Sequence, residues 1–247
     1  MRDSLREGGN EMKRGTLRQI LVITDGCSNQ GEDPVAVATL AKESGYTVNV
    51  VGVVNHEGAG MDEITNIAQA GGGMSDIVRK AQLSQTVQMV TRKAMTQTIY
   101  GVVHQELKGV FAQVESMPPE KQEKLSEIVE EISEEASLHV VVLVDTSLSM
   151  KDKLPLVQEA LQDLSLSLSS RMGENMFCVY SFPGKRKTLE RRVNWTDKLD
   201  SLHGMFEKLR SSGVTPTGPA LAEAIDIHAT YRLKQGHKQD DYDESLG

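Results

Sequence analysis

The sequence predicts an α/β fold with a doubly wound, mostly parallel sheet and helices on both of its faces. Apolar and β-branched residues dominate three segments, at residues 17–24, 47–54 and 140–144. The run at 140–144 is continuous, which is typical of a strand buried on both sides, and residues 20–24 repeat the pattern. Segments with helical spacing of apolar residues separate these runs, as parallel strands joined by right-handed crossovers require. Two of the runs end in an acid, Asp25 and Asp145, so we expect both carboxylates at the sheet edge where such folds bind ligands.

The first part of the chain, residues 17–95, predicts alternating strands and helices. After the strand at residues 17–24, Asp33 can cap a helix that has Pro34 in its first turn and stops at Gly45. The elements expected next are a strand at residues 47–54, a helix at 61–69, a loop at 71–73, a brief edge strand at 75–78 and a helix at 84–95.

The middle of the chain, residues 96–137, predicts a helical hairpin that connects the two parts. Two apolar stripes with helical spacing lie on either side of Pro118 and Pro119, which force a turn between them. The outer face of residues 120–135 is strongly acidic. The hairpin is either a solvated connector or a docking surface for another protein. The stripe residues are Val103, Leu107, Val110, Phe111 and Val114, then Leu125, Ile128, Val129 and Ile132.

The last part, residues 138–233, begins with the third buried strand. The elements expected after that strand are a helix at residues 154–171, a strand at 176–182, a strand at 189–195 that pairs with it as an edge hairpin, a helix at 199–209, a loop at 211–218 and a helix at 219–233. The two chain ends, residues 1–16 and 234–247, are polar and are predicted to be disordered.

Composition argues against several classes of function. The formal net charge of −8 disfavours nonspecific binding of nucleic acid, which needs a basic surface. No apolar run approaches the roughly 18 residues that cross a membrane, and the polar N-terminus lacks the apolar core of a signal peptide. The two cysteines, Cys27 and Cys178, indicate neither a disulfide framework nor a zinc cluster. We therefore expect a cytoplasmic protein without nucleic-acid or membrane partners.

Three short motifs place hydroxyl and carboxylate groups at predicted strand ends or helix starts. They are TDG at residues 24–26, DTSLS at 145–149 and TPTG at 215–218. Taken singly, each has a structural explanation, because Asp, Ser and Thr commonly cap helices and Asp-Gly is common in turns. Their occurrence together at expected strand ends indicates one shared site.

The three motifs together resemble the von Willebrand factor A (vWA) fold with its metal-ion-dependent adhesion site. In that family the DxSxS strand opens the domain, and the TDG strand comes halfway along it. Here residues 138–233 resemble the first half and residues 17–95 the second half, so the chain resembles a circular permutant of the kind found in spore-forming Gram-positive bacteria. If the halves form one sheet, the strands at residues 17–24 and 140–144 must be neighbours. The alternatives are half-domains that pair between two chains, and two unrelated α/β pieces.

The resemblance implies a site for Mg²⁺ or Mn²⁺ and no other cofactor. The hydroxyls of Ser147, Ser149 and Thr215 would be ligands, and Asp145 and Asp25 would balance the charge, partly through water. Because few of these ligands are anionic, the metal would stay electrophilic, and an Asp or Glu of a partner protein would complete its coordination. The resemblance therefore implies a protein-interaction module without catalysis, present as a monomer or a domain-swapped dimer.

An enzyme is the alternative from a different class, namely a magnesium-dependent phosphohydrolase with Asp145 as its nucleophile. The sequence disfavours it, because haloacid-dehalogenase-like phosphatases have a second acid where Ser147 stands, and no phosphate-binding lysine follows a strand end. The GxSxG and GxxxxGK[ST] motifs of hydrolases and P-loop proteins do not occur in the sequence. A third interpretation is a structural subunit whose metal site is vestigial.

Overall fold

The computed structural model of the chain describes residues 15–26, 28–53, 60–78, 82–108, 118–198 and 213–244. Within these ranges six strands form one sheet: β1 (Thr16–Thr24), β2 (Thr47–Val53), β3 (Gly72–Val78), β4 (Ser137–Asp145), β5 (Asn175–Phe182) and β6 (Glu190–Thr196). Their order across the sheet is β3-β2-β1-β4-β5-β6. All neighbours are parallel except β6, which pairs antiparallel with β5 at one edge. The mostly parallel sheet and its antiparallel edge hairpin are thus confirmed.

Helices cover both faces of this sheet. They are α1 (Pro34–Glu43), α2 (Met61–Ala70), α3 (Leu83–Lys108), α4 (Pro119–Glu135), α5 (Leu154–Leu168) and α6 (Thr217–Glu244), with a short 3₁₀ helix at Leu148–Lys153. Residues of α3 and α5 pack on one face, against side chains such as Leu21 and Val142. Residues of α1, α2 and α6 pack on the other face, against side chains such as Ile20 and Val141. The doubly wound arrangement is therefore confirmed. No helix within the described ranges is long and apolar enough to cross a membrane.

The two strands that lead to the acids are neighbours in the middle of the sheet, as predicted. β1 and β4 pair in parallel over a register that ends with Ile23 opposite Val144. Because the next residues in the two strands are Thr24 and Asp145, the register brings the TDG and DTSLS motifs to the same sheet edge. Pairing between distant parts of the chain thus assembles the candidate site.

Local sequence sets both ends of α1, which follows the loop after β1. The carboxylate of Asp33 accepts a hydrogen bond from the backbone N–H of Val35 at 3.0 Å, and Pro34 occupies the first turn. Gly45 follows the helix with a φ of +79°, a conformation that favours glycine. The predicted cap, first-turn proline and stop are confirmed.

The first helix after β3 is longer than the sequence predicts. The helix expected at residues 84–95 continues as α3 to Lys108, through Gly101, around which there is open space. The extension packs Ile99 and Val103 against α4 through residues that include Val129. This burial offsets the roughly 1 kcal/mol cost of a glycine within a helix. The limits of the connector predicted at residues 96–137 stay a prediction, since residues 109–117 lie outside the described part.

The last helix is also longer than predicted at both ends. α6 begins at Thr217 rather than at residue 219, and it continues to Glu244. Residues 234–244 are therefore helical, where the sequence predicts the start of a disordered tail. Good helix formers, such as Lys234 and Gln235, continue the helix without a proline. The helix predicted at residues 199–209 and the chain ends at 1–14 and 245–247 lie outside the described residues.

The edge strand β3 begins within the segment that the sequence predicts as a loop. Gly72 starts the strand with a φ of +67°. A Cβ on Gly73 would lie 2.2 Å from the carbonyl oxygen of Val48, so only glycine lets the two backbones approach this closely. The side chain of Asn49 then accepts a hydrogen bond from the N–H of Met74 at 3.0 Å. The glycines therefore permit strand pairing here instead of preventing it.

Candidate functional site

Asp145 ends β4 and is fully buried at the edge of the sheet. The hydroxyl of Thr24 donates to its Oδ2 at 2.7 Å, and the backbone N–H of Ser147 donates to its Oδ1 at 2.8 Å. Burial raises the pKa of Asp145, and the hydrogen bonds from Ser147 and Thr24 act in the opposite direction. Within the described part of the chain, no lysine, arginine or histidine forms an ion pair with this carboxylate. The group is held in a fixed orientation and lacks a cationic partner there.

The hydroxyls of Ser147 and Ser149 meet directly after Asp145. Their Oγ atoms are hydrogen-bonded to each other at 3.1 Å, and Ser147 is buried whereas Ser149 is exposed within the 3₁₀ helix. Two oxygens that bind one octahedral Mg²⁺ at about 2.1 Å lie roughly 3 Å from each other. The serine pair thus has the spacing of two neighbouring ligands of one ion, and its donor atoms are of the kind that Mg²⁺ prefers.

Asp25 forms an ion pair that the sequence does not predict. Lys153, the last residue of the 3₁₀ helix that includes Ser149, donates from Nζ to Asp25 Oδ2 at 2.8 Å. The side chain of Lys153 is only 3% exposed and that of Asp25 is 15% exposed. Lysine is almost never buried to this extent unless it is paired. The charge of Asp25 is therefore compensated within the protein, whereas no described residue forms an ion pair with Asp145.

Thr215 lies in a loop that is hydrogen-bonded to the loop following Asp25. The N–H of Thr215 donates to Asn29 Oδ1 at 2.8 Å, and its carbonyl oxygen accepts from the N–H of Asn29 at 3.1 Å and from Ser28 Oγ at 3.2 Å. Thr215 is buried. Thr217 is buried too, and it begins α6. The threonine loop is thus fixed beside the TDG motif.

Two further groups hold the loop after β1 in place. Gly26 has a φ of +92°, and a Cβ there would lie 2.9 Å from the Cα of Gly60, so this motif position needs glycine. The carboxylate of Glu63 in α2 accepts from the N–H of Ser28 at 2.8 and 3.1 Å. No pattern in the sequence points to Glu63, Asn29 or Lys153, because each meets its partner only through the tertiary fold.

The structure brings four of the five predicted ligands together through direct or shared contacts. Asp145, Ser147 and Ser149 are contiguous, and Asp25 joins them through Lys153 of the same 3₁₀ helix. Thr215 is joined to the loop after Asp25 through its own N–H and carbonyl groups, which contact Asn29 and Ser28. No cluster of three or more His, Cys, Asp or Glu side chains that could hold a metal is present in the described ranges. Any metal here would therefore depend on hydroxyl oxygens.

Comparisons with known proteins agree with this fold. Residues 1–92 match the family model of the von Willebrand factor type A domain. That match includes the TDG motif, whereas the DTSLS motif lies outside it. The chain is 52% identical over 236 residues to a protein of Bacillus subtilis (strain 168) described as "Uncharacterized protein YabS", a match that covers 93% of this chain and 96% of that protein. A crystal structure of an uncharacterized protein from Alicyclobacillus acidocaldarius subsp. acidocaldarius DSM 446 has a TM-score of 0.83 and 42% identity, and covers 91% of this chain and 99% of that one.

Proposed function

This chain belongs to the same family as the Bacillus subtilis protein YabS. Because residues 1–92 match the von Willebrand factor type A domain, we propose that the chain is a protein-interaction module. In this proposal it holds an acidic residue of a partner protein through bound Mg²⁺ or Mn²⁺. One observation supports this function above all. The hydroxyls of Ser147 and Ser149 lie 3.1 Å apart, next to a buried carboxylate that has no cationic partner within the described residues.

The donor set fits a hard divalent cation. Ser147, Ser149 and Thr215 would supply neutral oxygens, and Asp145 would supply the main negative charge. Each oxygen of Asp145 already accepts one hydrogen bond, which leaves further lone pairs for the metal or for its water. Asp25 would act mainly through its field, because its Oδ2 is occupied by Lys153.

The Lys153–Asp25 ion pair would increase the Lewis acidity of the bound metal toward a carboxylate of the partner. Because Lys153 compensates the charge of Asp25, the predicted ligands include one carboxylate, Asp145, that has no ion-pair partner among the described residues, for a doubly charged ion. When bound, the metal would supply an open, electrophilic coordination position for a carboxylate of the partner. The chain's own residues orient that position, because the hydrogen bonds around Asp145 and Thr215 fix the two loops before any partner arrives.

Leu148 gives the site an apolar contact next to its polar centre. It lies between the two serines and is 65% exposed. A single exposed leucine is common on protein surfaces, but this one stands within the metal motif. We assign to it a contact with an apolar side chain of the partner that flanks the acidic residue.

Loss of the serine pair is expected to abolish the response to metal. Wild-type protein should gain thermal stability with Mg²⁺ or Mn²⁺, and the S147A/S149A variant should not, because it loses two of the three hydroxyl ligands. The S169A/S170A variant is the matched control, since it removes two exposed hydroxyls at the end of α5. Thermal shift and calorimetric titration provide the measurement. An equal metal response in S147A/S149A would place any metal elsewhere.

Partner binding is expected to require both the metal and the serine pair. Protein captured from a lysate of the organism that encodes the chain should be retained by wild type and S169A/S170A in Mg²⁺, and released by EDTA. It should bind S147A/S149A about thirtyfold more weakly, since losing a central contact costs about 2 kcal/mol. Leu148→Ser should weaken binding but leave the thermal response to metal unchanged.

Two outcomes would contradict this function. Binding that survives both EDTA and the loss of the serines would show that the metal is not the contact, and would favour the acidic surface of α4 as the docking site. Magnesium-dependent turnover of phosphomonoesters that Asp145→Asn abolishes would instead favour the phosphohydrolase.

The permuted order of the two halves is part of the same proposal. It is supported by the position of β4, which carries DTSLS, beside β1, which carries TDG, in the middle of one sheet. The match of residues 1–92 to the von Willebrand factor type A domain lies before the DTSLS strand in the chain, as a permuted order requires. Origin in a spore-forming Gram-positive bacterium stays a prediction.

A further inference from the structure

A second polar cavity lies at the opposite end of the sheet from the candidate metal site. Its volume is about 240 Å³, and it is lined by Thr16, Arg18, His139, His228 and Arg232. Thr16 and Arg18 lie at the start of β1 and His139 lies near the start of β4, whereas the candidate metal site is at the other ends of these strands. The function of this cavity is therefore separate from that of the metal site.

Two histidines and a tyrosine form a hydrogen-bonded chain beside the cavity. His139 Nδ1 lies 3.0 Å from His228 Nε2, and His228 Nδ1 lies 3.1 Å from the hydroxyl oxygen of Tyr46. The chain can run in two directions. When Tyr46 donates to His228, His228 donates to His139, which then carries its proton on Nε2. When Tyr46 donates instead to the carbonyl oxygen of Ile225, 3.5 Å away, the two histidines donate in the opposite direction. The Nε2 of His139 has no hydrogen-bond partner among the described residues. In the first direction one ring N–H of His139 is available to a ligand, and an anion in the cavity favours that direction.

Two arginines give the cavity a positive charge. The guanidinium of Arg18 lies over the ring of Tyr46, 5.2 Å from its centroid, and Arg232 is exposed on α6. Within the described ranges, neither arginine has a carboxylate at ion-pair distance. Burial and then the charges of the two arginines lower the pKa of His139 to about 4. His228, whose pKa is lowered to about 3, is affected first by burial and then by His139 and the same arginines.

We propose that this cavity binds a tetrahedral oxyanion of the phosphate class, with Arg18 and Arg232 as the charged donors and His139 as a further donor. Arginine is suited to this role, because its planar fork donates two parallel hydrogen bonds to phosphate oxygens. A volume of about 240 Å³ is below that of typical pockets for larger organic ligands, so the occupant is a phosphate ion or the phosphate end of a monoester. The positive charges of Arg18 and Arg232 disfavour a metal cation in this cavity.

Trp195, the only tryptophan in the chain, provides a direct reporter of binding. Its ring centroid lies 5.7 Å from that of His139 and 5.6 Å from that of His228, and it stacks on Tyr231 with a centroid distance of 4.3 Å. An anion that hydrogen-bonds to His139 changes the electrostatic field at the indole. Tryptophan fluorescence therefore measures occupation of the cavity in the full-length protein without any label.

The test is a fluorescence titration with inorganic phosphate at constant ionic strength. Wild type is expected to show a saturable change, and the R18Q/R232Q variant is expected to bind phosphate at least tenfold more weakly. The R186Q/K187Q variant removes the same number of charges from the exposed turn before β6 and should bind like wild type. The single variant Arg232→Gln keeps the test valid if the double variant does not fold, because Arg232 is exposed. It should weaken phosphate binding severalfold.

Three further ligands define the class of anion and its source. Sulfate should bind through the same residues, whereas acetate should not compete. Tighter binding of phosphoserine than of phosphate would identify a monoester as the source, and tighter binding of phosphate would identify the free ion. The proposal is overturned if wild type shows no saturable response, if R18Q/R232Q or R232Q retains wild-type affinity, or if acetate binds as well as phosphate.

Discussion

Residues 1–116 and 137–247, expressed separately, are expected to be insoluble or unfolded, and their co-expression is expected to restore a folded protein. The reason is the pairing of β1 with β4, which joins the two parts of the chain along the middle of the sheet. Separation exposes a long, apolar strand edge on each fragment, and such edges promote aggregation. Separation also splits the hydrophobic core on each face of the sheet, because each core contains residues of both fragments. Leu21 and Val142, for example, are buried in the core on the same face.

Solubility, circular dichroism and thermal melting of each fragment alone and of the co-expressed pair provide the measurement. Two fragments that each unfold cooperatively would contradict a single shared sheet and would favour two unrelated α/β pieces. The mass of the intact chain in solution then separates a monomer from a domain-swapped dimer, which share the same contacts between halves. A folded, co-expressed pair would support the proposal that the two parts are the permuted halves of one domain.

Lys153→Met is expected to lower the free energy of unfolding by about 3 kcal/mol in EDTA. Methionine fills a similar volume, but it leaves the Asp25 carboxylate largely buried and without the ammonium 2.8 Å away. The uncompensated charge also lies close enough to Asp145 to raise its pKa. Because the variant then has two uncompensated carboxylates, Mg²⁺ should stabilise it more than it stabilises wild type. Chemical denaturation with and without metal provides the measurement.

The D25N/K153M double variant is the control for this prediction. It removes both charges, so it should recover most of the lost stability and should lose the enhanced response to Mg²⁺. Unchanged stability of Lys153→Met would show that the ion pair has no structural role. A diminished response to metal in Lys153→Met would show that the lysine orients the metal ligands, and that its charge does not oppose the metal.

Much of the fold and part of the site could be predicted from local sequence. The runs at residues 20–24 and 140–144 consist of β-branched residues and leucine, and a strand buried on both faces is the main way to bury such a run. Asp33 and Gly45 mark the ends of α1 because capping and left-handed φ values depend on single residue types. The DTSLS serines are separated by one residue, so their proximity is local too. The metal itself, its ligand set and the acidic partner stay predictions.

Helix lengths were harder to predict, because packing decides them. The sequence predicted that two helices end at residues 95 and 233, whereas they continue to Lys108 and Glu244. In α3 the packing of Ile99 and Val103 against α4 outweighs the low helix propensity of Gly101. Tertiary packing routinely overrides propensities of this size.

By itself the sequence determined which segments are strands, which sheet edge collects the acids, and which hydroxyls lie beside Asp145. Only the tertiary structure decided that Lys153 compensates Asp25, and that Asn29 fixes the loop of Thr215. It also decided that His139, His228 and Tyr46 form a chain beside two arginines. The physical reason is distance along the chain: these partners are far apart in sequence, and only strand pairing and helix packing bring their polar atoms within hydrogen-bond reach.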